Sequence, residues 1–395
     1  MATSSFSTIT DHPHESLDTS ELFVTCLPGL ESALVKEIKA IGIKEVKAGK
    51  AGVMIYNAGL LECQKICYLS RLALRVLWKL HKFRLWKQQN LYQQAIKQPW
   101  TLWLGKPAKT LRIDTSGKSR VFANTQYAMQ RLKDAICDHM RELELERPNI
   151  DKDNPQVRLH LHLEQEALTL YIDMSGEPLN QRGYRQASVF APLNEVAAAS
   201  LLNIAGYDGY RPFCDPCAGS GTLMIEAAML AANIPAGKWR QKWGFELHPL
   251  FDREQFEAFR KEADAQAKPL EKGWVVGCEK DPRALESLYL NTQAIENLSD
   301  GIFEGPFQKA TFNNRYVVIT NPPYGQRLQP RDLLKTYEDL GKFLSVYASR
   351  AFVLCPERSC IEATQLPIIQ TYPLLFSGQE VTLTKLKTHI HTADK

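Results

Sequence analysis

The sequence contains no long hydrophobic run. Hydrophobic residues make up 44% of its 395 residues, an ordinary fraction for a globular protein, but no apolar stretch approaches the roughly 18 residues of a membrane-spanning helix. Residues 1–20 are polar and rich in Ser, Thr and His, and they lack the basic start and apolar core of a secretory signal. We therefore predict a disordered tail over residues 1–20 and a cytoplasmic location.

Patterns typical of metal sites and disulfides are scarce as well. The nine cysteines are an odd number scattered through apolar segments, which is typical of reduced core residues. Cys214 and Cys217 have the spacing of a redox or zinc pair, but no second pair accompanies them. His160 and His162 share one face of a predicted strand without an evident third ligand, so we expect them to face solvent. The sequence thus predicts no metal site.

Acidic residues are nearly absent from one part of the chain. Between Leu60 and Lys133 there are fifteen Lys or Arg and two acids, whereas the whole chain has a net charge of +4. This segment therefore has a charge of +13 and the rest of the chain a charge of −9. A basic region on an otherwise acidic protein indicates nucleic-acid binding. A solvated basic face without a partner is the alternative.

Within this region we predict a helix from Leu61 to Leu80. Three of its basic residues recur every fourth position and would form one face of that helix. Two further basic residues follow, next to the aromatic Phe83 and Trp86, and would extend the face. The side chains that we expect to contact RNA here are Arg71, Arg75, Lys79, Lys82 and Arg84.

The tetrapeptide Asn-Pro-Pro-Tyr at residues 321–324 gives the most specific indication of function. It follows the apolar run 317–319, which is a predicted buried strand. Two prolines lack N–H donors and fix φ, so the chain must leave the sheet in a rigid, extended form. The Asn321 side-chain oxygen and the Pro322 carbonyl would then point outward at the edge where open α/β sheets bind ligands. Two such acceptors suit a planar NH2 group on a base. We predict a catalytic set of Asn321, Pro322, Pro323 and Tyr324.

A short strand, a glycine-rich turn and a helix follow one another around residue 215. Glycines let the backbone approach a ligand closely, and the helix N-terminus offers free N–H groups. The turn is not a Walker loop, because no Gly-Lys-Ser/Thr follows, and it is not G-x-G-x-x-G, because the third glycine is missing. The predicted cofactor-binding residues of this turn are Asp215, Cys217, Ala218, Gly219, Ser220 and Gly221.

The next predicted strand, Trp274–Cys278, is followed by Glu279. An acid at the end of the second strand of a nucleotide-binding α/β unit can accept hydrogen bonds from ribose hydroxyls, so we predict that Glu279 binds a cofactor. Asp281 precedes Pro282 and has the position of a helix N-cap. A cap alone and a cofactor contact are both open for Asp281.

In this order, the set resembles class I S-adenosylmethionine-dependent methyltransferases that act on amino groups. The Asn-Pro-Pro-Tyr form is shared by enzymes that methylate adenine N6, guanine N2 and glutamine N5, so the resemblance determines the fold and cofactor better than the substrate. There is one departure. Many class I enzymes have an Asp after the third strand that meets the adenine amine, and the corresponding residues 302–309 contain none.

Four sequence runs extend the resemblance from about Glu21 to Leu386. They are S-G-E-P-L-N-Q-R-G-Y-R, A-P-L-N-E-V-A-A-A, D-P-C-A-G-S-G-T and N-P-P-Y-G-Q-R-L. Together they are similar to the THUMP-domain methyltransferases, whose members make N2-methylguanine in RNA. Within that family the chain most resembles the N-terminal half of bifunctional enzymes that modify large-subunit ribosomal RNA in Gram-negative bacteria.

The resemblance implies a domain organisation and an α/β fold class. It implies a class I Rossmann-like methyltransferase domain preceded by an α+β RNA-binding region. The expected boundaries are a ferredoxin-like module over 21–65, a THUMP domain over 66–172, a junction over 173–190 and a methyltransferase domain over 191–388 with an insertion at about 233–272.

The resemblance also adds residues to the site. Glu195 and Asn321 join the expected cofactor-binding residues. In the insertion, Trp239 or Trp243 could stack on a base, or they could pin the insertion to the domain. The RNA-binding residues added outside the basic region are Arg182, Arg185, Arg240 and Lys242.

We therefore expect an S-adenosylmethionine-dependent enzyme that methylates the exocyclic N2 of a guanine in RNA. By resemblance, ribosomal RNA is preferred over transfer RNA, and a monomer without metal is expected. A methyltransferase acting on DNA adenine or protein glutamine is a rival that the basic region disfavours. A second rival is an RNA-binding or ribosome-assembly protein with a vestigial methyltransferase fold, which the intact motifs disfavour.

Overall fold

Two seven-stranded sheets form the framework of the computed structural model, which describes residues 17–188, 192–324, 330–376 and 378–388. The predicted tail lies mostly outside the described residues, and the first strand begins at Ser20. Among the helices of the described ranges, none is long and apolar enough to cross a membrane.

The first sheet has the strand order β2-β3-β1-β4-β7-β6-β5. Its strands are β1 (Ser20–Thr25), β2 (Val46–Gly49), β3 (Gly52–Ala58), β4 (Arg75–Arg84), β5 (Leu111–Gly117), β6 (Val157–Glu164) and β7 (Ala167–Asp173). The accompanying helices are α1 (Glu31–Ala40), α2 (Leu60–Leu69), α3 (Gln89–Ala95), α4 (Trp100–Leu104) and α5 (Thr125–Glu142). Strands β6 and β7 form an antiparallel hairpin, as the alternating sequence predicts.

The expected ferredoxin-like module and the expected THUMP domain share this sheet. Strand β1 of the module pairs with β4, and Leu22 lies opposite Trp78. One apolar core extends under both parts, from Leu34 of α1 to Leu132 of α5. The expected boundary between residues 65 and 66 therefore falls inside one continuous folded unit.

The helix predicted from Leu61 to Leu80 is wrong in its second half. Helix α2 ends at Leu69, and the chain continues as β4 from Arg75. Along β4, Val76 and Trp78 are buried in the core, and Arg75 and Lys79 lie on the other face because side chains alternate along a strand. A four-residue spacing fits a strand as well as a helix, and the core contacts of Val76 and Trp78 select the strand.

The second sheet has the strand order β10-β9-β8-β11-β12-β14-β13. Its strands are β8 (Phe213–Asp215), β9 (Val275–Glu279), β10 (Ile302–Glu304), β11 (Tyr316–Thr320), β12 (Ala348–Cys355), β13 (Ile368–Phe376) and β14 (Gln379–Leu386). The helices are α6 (Glu195–Ile204), α7 (Thr222–Ala231), α8 (Arg253–Asp264), α9 (Pro282–Thr292), α10 (Pro330–Tyr347) and α11 (Arg358–Ala363). Strands β8 to β12 are parallel, and β14 is antiparallel to both of its neighbours.

Apolar side chains cover both faces of the second sheet, as parallel sheets require. Along β11, Val317 and Ile319 face one core, and Val318 faces the other. The strand order places β9 on one side of β8 and β11 on its other side. This switch in strand order opens a crevice at the carboxyl ends of β8 and β11, where open α/β sheets bind ligands. The fold is therefore the predicted α/β class with an N-terminal α+β region.

The segment that the sequence marks as an insertion holds the two sheets together. Trp243, Phe245 and Phe256 of this segment are buried in the core of the first sheet. Tyr68 of α2 donates a hydrogen bond to Asp264 at 2.7 Å. Of the two roles open for the tryptophans, the buried Trp243 therefore has the structural one, and it stacks on Phe245 with ring centroids 5.3 Å apart.

Candidate active site

Three strands of the second sheet bring predicted site residues to one edge. Asp215 ends β8, Glu279 ends the neighbouring strand β9, and Asn321 follows the last residue of β11 on the other side of β8. Because these strands are parallel, their carboxyl ends meet at the same edge. The structure thus assembles the glycine-rich turn, the acid of the second strand and the Asn-Pro-Pro-Tyr segment at one place.

A buried hydrogen bond connects β8 to β11 directly at this edge. The Thr320 hydroxyl donates to Asp215 Oδ1 at 2.7 Å, and the Cys217 N–H donates to the same oxygen at 3.0 Å. Asp215 is only 2% exposed, and its burial raises the pKa of the carboxyl from 3.8 to about 7, with a smaller contribution from the nearby Glu279 charge. Thr320 therefore fixes the strand end from which Asn321 projects. Sequence reasoning missed Thr320, although its hydroxyl stands at the end of an otherwise apolar strand beside the motif.

The glycine-rich turn closes over the end of β9. The Gly219 N–H donates to Glu279 Oε2 at 2.8 Å, and Gly219 has a φ of +56°. Gly221 has a φ of +86° and caps the N-terminus of α7. A side chain at Gly221 would place its Cβ 2.5 Å from Leu288 Cδ1. Both conformations favour glycine, and the turn can therefore approach a ligand with its backbone.

Glu279 and Asp281 have different roles in the structure. Glu279 Oε1 accepts the N–H groups of Lys280 and Asp281, both at 2.8 Å. Asp281 Oδ1 accepts the Arg283 N–H at 2.9 Å and caps helix α9. The cap role of Asp281 is thus present, and Glu279 is the carboxylate that faces the glycine-rich turn.

The Asn321 side chain presents an unpaired hydrogen-bond acceptor at this edge. Its Oδ1 atom is buried and has no hydrogen-bond partner among the described residues. An unpaired buried acceptor costs about 1–3 kcal/mol, so it calls for an explanation such as a catalytic role. Pro322 is buried, and Tyr324 is half-buried against the core on the α10 side of the sheet. The site can therefore accept a proton donor such as an amino group beside an aromatic ring.

The sequence predicts an RNA contact for Arg185, whereas in the structure its side chain lies at the glycine-rich turn. Its guanidinium donates to Glu195 Oε1 at 2.7 Å, to Ser220 Oγ at 3.1 Å and to Thr222 Oγ1 at 2.9 Å. These bonds place Glu195, which the resemblance assigns to the cofactor, next to the glycine-rich turn. Asn291, which sequence reasoning missed, donates to the Ser220 carbonyl at 3.0 Å and so supports the same turn.

The RNA contacts predicted for Arg182, Arg240 and Arg71 are contradicted by the bonds that these guanidinium groups make inside the protein. Arg182 is 2% exposed and pairs with Glu226. Arg240 is also buried, and it donates to the carbonyls of residues 175, 177, 178 and 181. The Arg71 guanidinium donates to the carbonyls of Met229 in α7 and of Ile234, which follows that helix. Buried donors satisfied by carbonyls cannot reach a phosphate without breaking these bonds.

The other predicted RNA-binding residues are at least partly exposed. On the first sheet, Arg75 pairs with Asp173, Lys79 with Glu21 and Lys82 with Glu164. Arg84 and Lys242 are exposed. An RNA contact by these residues stays a prediction.

The stretch after β10 lies beside the site, because the Gly305 N–H donates to the Glu279 carbonyl at 2.7 Å. Glu304, the last residue of β10, accepts the Tyr289 hydroxyl at 2.7 Å.

Histidine and cysteine side chains in the described ranges form no group of three or more with carboxylates that could hold a metal ion. The Ser116 hydroxyl lies 2.8 Å from both His160 Nε2 and His162 Nδ1. Burial lowers the pKa of His160 to about 4. Both histidines share one face of β6 as the sequence predicts, but they are half-buried against Ser116 and do not face solvent as expected.

Three domain families match successive parts of the chain. The RlmL ferredoxin-like domain matches residues 21–77, the THUMP domain matches residues 88–173, and the RMKL-like methyltransferase domain matches residues 182–366. The first two matches lie within the first sheet region, and the third includes the candidate site.

Curated relatives share the sequence over most of the chain. The ribosomal RNA large subunit methyltransferase K/L of Pseudomonas aeruginosa is 37% identical over 344 residues, which are 83% of this chain and 47% of the relative. The protein of the same name from Vibrio parahaemolyticus is 36% identical over 309 residues, which are 76% of this chain and 43% of the relative. The chain spans about half the length of the curated relatives it matches.

Solved structures share the fold over nearly the whole chain. SMU.472 complexed with SAH superposes with a TM-score of 0.79 and 23% identity, covering 94% of this chain and 99% of that one. TrmN from Thermus thermophilus gives a TM-score of 0.69 and 19% identity, covering 93% and 99%. At these identities the likeness shows a common fold.

Proposed function

The chain belongs to the proteins that combine a THUMP domain with an RMKL-like methyltransferase domain, and we propose that it transfers a methyl group from S-adenosylmethionine to the exocyclic N2 of a guanine in ribosomal RNA. The buried, unpartnered Oδ1 of Asn321 is the observation that supports this reaction most directly. That oxygen stands at the sheet edge shared by the glycine-rich turn and Glu279, so acceptor and cofactor residues lie together.

The residues at the turn fit S-adenosylmethionine. Glu279 can accept hydrogen bonds from ribose hydroxyls, as acids at this position do in nucleotide-binding α/β units. Gly219 and Gly221 leave the backbone open to close approach, and Asp215 holds the start of the turn through the Cys217 N–H. Bound there, the cofactor would supply an electrophilic methyl group on a sulfonium.

Asn321 and Pro322 act on the amine. The lone pair of a guanine N2 is delocalised into the ring, so the free amine is a poor nucleophile. Asn321 Oδ1 and the Pro322 carbonyl would accept hydrogen bonds from its two N–H groups and orient the lone pair for in-line attack. The N–CH3 bond would form as the S–CH3 bond breaks and S-adenosylhomocysteine leaves, and the methylated amine, which is then acidic, would lose one proton to solvent. Positioning of this kind accounts for a large share of the acceleration of a two-reactant step. Tyr324 would stack on the unpaired base.

Ribosomal RNA is the proposed substrate because the curated relatives are named for it. They are large subunit ribosomal RNA methyltransferases, and the chain aligns with 47% of the Pseudomonas aeruginosa protein. A transfer RNA substrate is the second candidate, because the residues of the motifs do not distinguish ribosomal from transfer RNA. We further propose a monomeric protein that acts in the cytoplasm without a metal ion.

Methyl transfer to RNA from cells that lack the gene tests this function. Labelled S-adenosylmethionine is supplied with separated ribosomal and transfer RNA, and the nucleosides are analysed. We expect N2-methylguanosine in the ribosomal pool. Label in neither pool together with normal cofactor binding would contradict the proposed RNA substrate, and loss of cofactor binding as well would favour the vestigial RNA-binding protein.

Asn321→Ala tests the role of the acceptor. We expect the turnover to fall at least about a hundredfold, which is the range for loss of one preorganised polar group. The Kd for S-adenosylmethionine, measured by calorimetry, should stay within a factor of about three. Asn313→Ala replaces an exposed asparagine that precedes β11 and should leave both quantities unchanged. Wild-type turnover by Asn321→Ala would disprove this mechanism.

A further inference from the structure

An open cavity of about 1210 Å³ lies between the two sheet regions. Helix α1 and the segment between α2 and β4 line one side of it, and helices α6, α7 and α8 line the other. Within the described part of the chain, its lining includes none of the predicted catalytic or cofactor-binding residues. Pockets for small molecules typically measure about 300–1,000 Å³, so this cavity has room for a small organic ligand.

Three lining residues carry a buried polar atom that has no hydrogen-bond partner among the described residues. The atoms are Arg71 Nη1, Tyr207 Oη and Glu226 Oε2. Glu226 is fully buried, and Tyr207 is 4% exposed. A buried polar group without a hydrogen bond is unfavourable, and each such group calls for an explanation. Because all three residues line one cavity, a single ligand can provide the missing bonds.

The other polar atoms of Arg71 and Glu226 hold these two side chains in place. Arg71 Nη2 donates to the carbonyls of Met229 and Ile234 at 3.1 and 2.6 Å. Glu226 Oε1 accepts a hydrogen bond from Arg182 Nε at 3.3 Å. The unpartnered nitrogen and the unpartnered oxygen are therefore preorganised, which lowers the entropy lost when a ligand binds.

Arg71 and Glu226 lie close enough to influence each other. Burial raises the pKa of the Glu226 carboxyl, and the charges of Arg182 and Arg71 oppose that rise. Burial lowers the pKa of the Arg71 guanidinium, and the Glu226 charge opposes this effect. The cavity thus presents a hydrogen-bond donor and a hydrogen-bond acceptor near each other.

The rest of the lining combines apolar side chains with balanced charges. Leu72 and Leu202 are buried there, and Leu230 and Phe259 are half-buried. The charged lining residues are Lys36, Lys65, Arg71, Glu37, Glu226 and Glu262, so positive and negative charges are equal in number. This lining fits a molecule with an apolar body and no net charge.

We propose that the cavity binds a small neutral molecule that joins an amide or lactam edge to an apolar body. The N–H of that edge donates to Glu226 Oε2, and its carbonyl oxygen accepts from Arg71 Nη1. The Tyr207 hydroxyl offers a further bond from the same lining. The site lies outside the proposed methyl transfer, and its ligand contacts both sheet regions.

An amide edge fits these atoms better than a charged group. A carboxylate accepts about four hydrogen bonds and an ammonium group donates three, whereas Arg71 and Glu226 each have one unpartnered atom here. A buried charge with unmade bonds is costly. A carboxylate would also face the like charge of Glu226, and an ammonium group that of Arg71. A neutral amide avoids both repulsions and bonds to both atoms.

Three probes that share a benzene ring test this proposal on the full chain. Benzamide carries a donor and an acceptor, benzoate carries acceptors only, and benzylammonium carries donors only. In titrations followed by saturation-transfer NMR, we expect a Kd of about a millimolar for benzamide, as suits its size. Benzoate and benzylammonium should bind at least about tenfold more weakly. Equal binding of the three probes, or no binding of benzamide, would overturn the proposal.

Glu226→Gln should change which probe is preferred. The new side-chain NH2 donates, so benzamide should bind about threefold or more weakly and benzoate about threefold or more tightly. A general loss of structure would not reverse the preference in this way. Tyr207→Phe removes only a hydroxyl and should weaken benzamide binding about two- to tenfold, even if Glu226→Gln fails to fold. Wild-type binding by both variants would disprove the assignment.

Two controls separate this cavity from other sites. Tyr210 is 80% exposed and lies outside the lining, so Tyr210→Phe should bind benzamide like the wild type. Asn321→Ala should do so as well, whatever its effect on methyl transfer. Loss of benzamide binding in Asn321→Ala would show that the probe occupies the candidate active site, and it would contradict the proposal.

Diffraction from crystals soaked in para-bromobenzamide locates the probe directly. We expect the anomalous signal of bromine beside Leu72 and Leu202, with the amide between Arg71 Nη1 and Glu226 Oε2. Bromine found only elsewhere would refute the site. Ordered water alone on these two atoms in the soaked crystal would also refute it, because water would then complete their hydrogen bonds.

Discussion

At the scale of single residues, the site depends on polar atoms that the fold keeps from water. Thr320 donates to Asp215, and Asn321 next to it leaves its own acceptor unpaired. The hydrogen bond from Thr320 offsets the cost of burying the Asp215 carboxyl. The Asn321 oxygen keeps its cost of burial, because an unpaired acceptor is unfavourable until a ligand donates to it. The contrast between these two adjacent residues supports the proposal that Asn321 Oδ1 accepts a hydrogen bond from the substrate.

Asp215 gives a prediction about pH. Its folded pKa, about 7, is higher than the 3.8 of a free carboxyl, so the folded state holds the proton more tightly than the unfolded state. Between about pH 4 and pH 7 the unfolded state binds fewer protons, and the free energy of unfolding therefore falls as pH rises. Asp215→Asn removes this titration and keeps the Oδ1 acceptor. Relative to the wild type, the variant should gain up to about 4 kcal/mol between pH 4 and pH 8, at 1.36 kcal/mol per unit.

Urea denaturation at a series of pH values measures this difference. An Asp281→Asn variant serves as the control, because Asp281 is an exposed helix cap. A constant difference in the free energy of unfolding between wild type and Asp215→Asn across this range would show that Asp215 titrates normally.

At the scale of elements, the glycine-rich turn owes its shape to backbone conformation and to packing on α9. Gly221 and Gly273 both have positive φ, but only Gly221 is crowded: an added Cβ would meet Leu288 at 2.5 Å, whereas at Gly273 it would meet no described atom within 4 Å. The two glycines therefore separate backbone strain from steric overlap.

Gly221→Ala should destabilise the protein more than Gly273→Ala. A left-handed conformation costs an alanine about 1–2 kcal/mol, and we expect overpacking against Leu288 to add about 1–3 kcal/mol at Gly221. Affinity for S-adenosylmethionine should fall only for Gly221→Ala. Thermal unfolding and calorimetric titration measure the two effects, and equal stability of the variants would indicate that Leu288 moves aside freely.

At the scale of the whole molecule, the two sheets form one unit through buried contacts. Arg182 donates to the Arg71 carbonyl of the first domain at 2.6 Å and to Glu226 of the second at 3.3 Å. Glu226 is fully buried, and burial raises the pKa of its carboxyl despite the neighbouring arginines. The position of the THUMP-matched region relative to the candidate active site therefore depends on this contact.

Arg182→Met should reduce stability by about 3–5 kcal/mol, because it leaves the buried Glu226 without its partner. Adding Glu226→Gln should recover part of the loss. Arg253→Met removes a largely exposed partner of Glu246 and should cost less than about 1 kcal/mol. Chemical denaturation measures all three variants. An effect of Arg182→Met no larger than that of Arg253→Met would contradict the structural role of the pair.

The sequence by itself determined the chemistry of the second sheet. The Asn-Pro-Pro-Tyr segment and the glycine-rich turn are local patterns whose backbone constraints hold in any context, and the structure brings both to one edge. The alternating residues of β6 and β7 likewise predicted their hairpin. Such features are encoded within a few consecutive residues, so the sequence alone can indicate them.

Only the tertiary structure decided what the arginines do. In the sequence, nothing distinguishes Arg71, Arg182 and Arg240 from cations that bind RNA. In the structure, their guanidinium groups donate to backbone carbonyls where the two sheet regions meet. The same holds for residues 70–80, whose spacing fits helix and strand equally until the core buries Val76 and Trp78. The charge of a side chain or the spacing of residues indicates which contacts are possible. Burial by distant parts of the chain determines which of those contacts form.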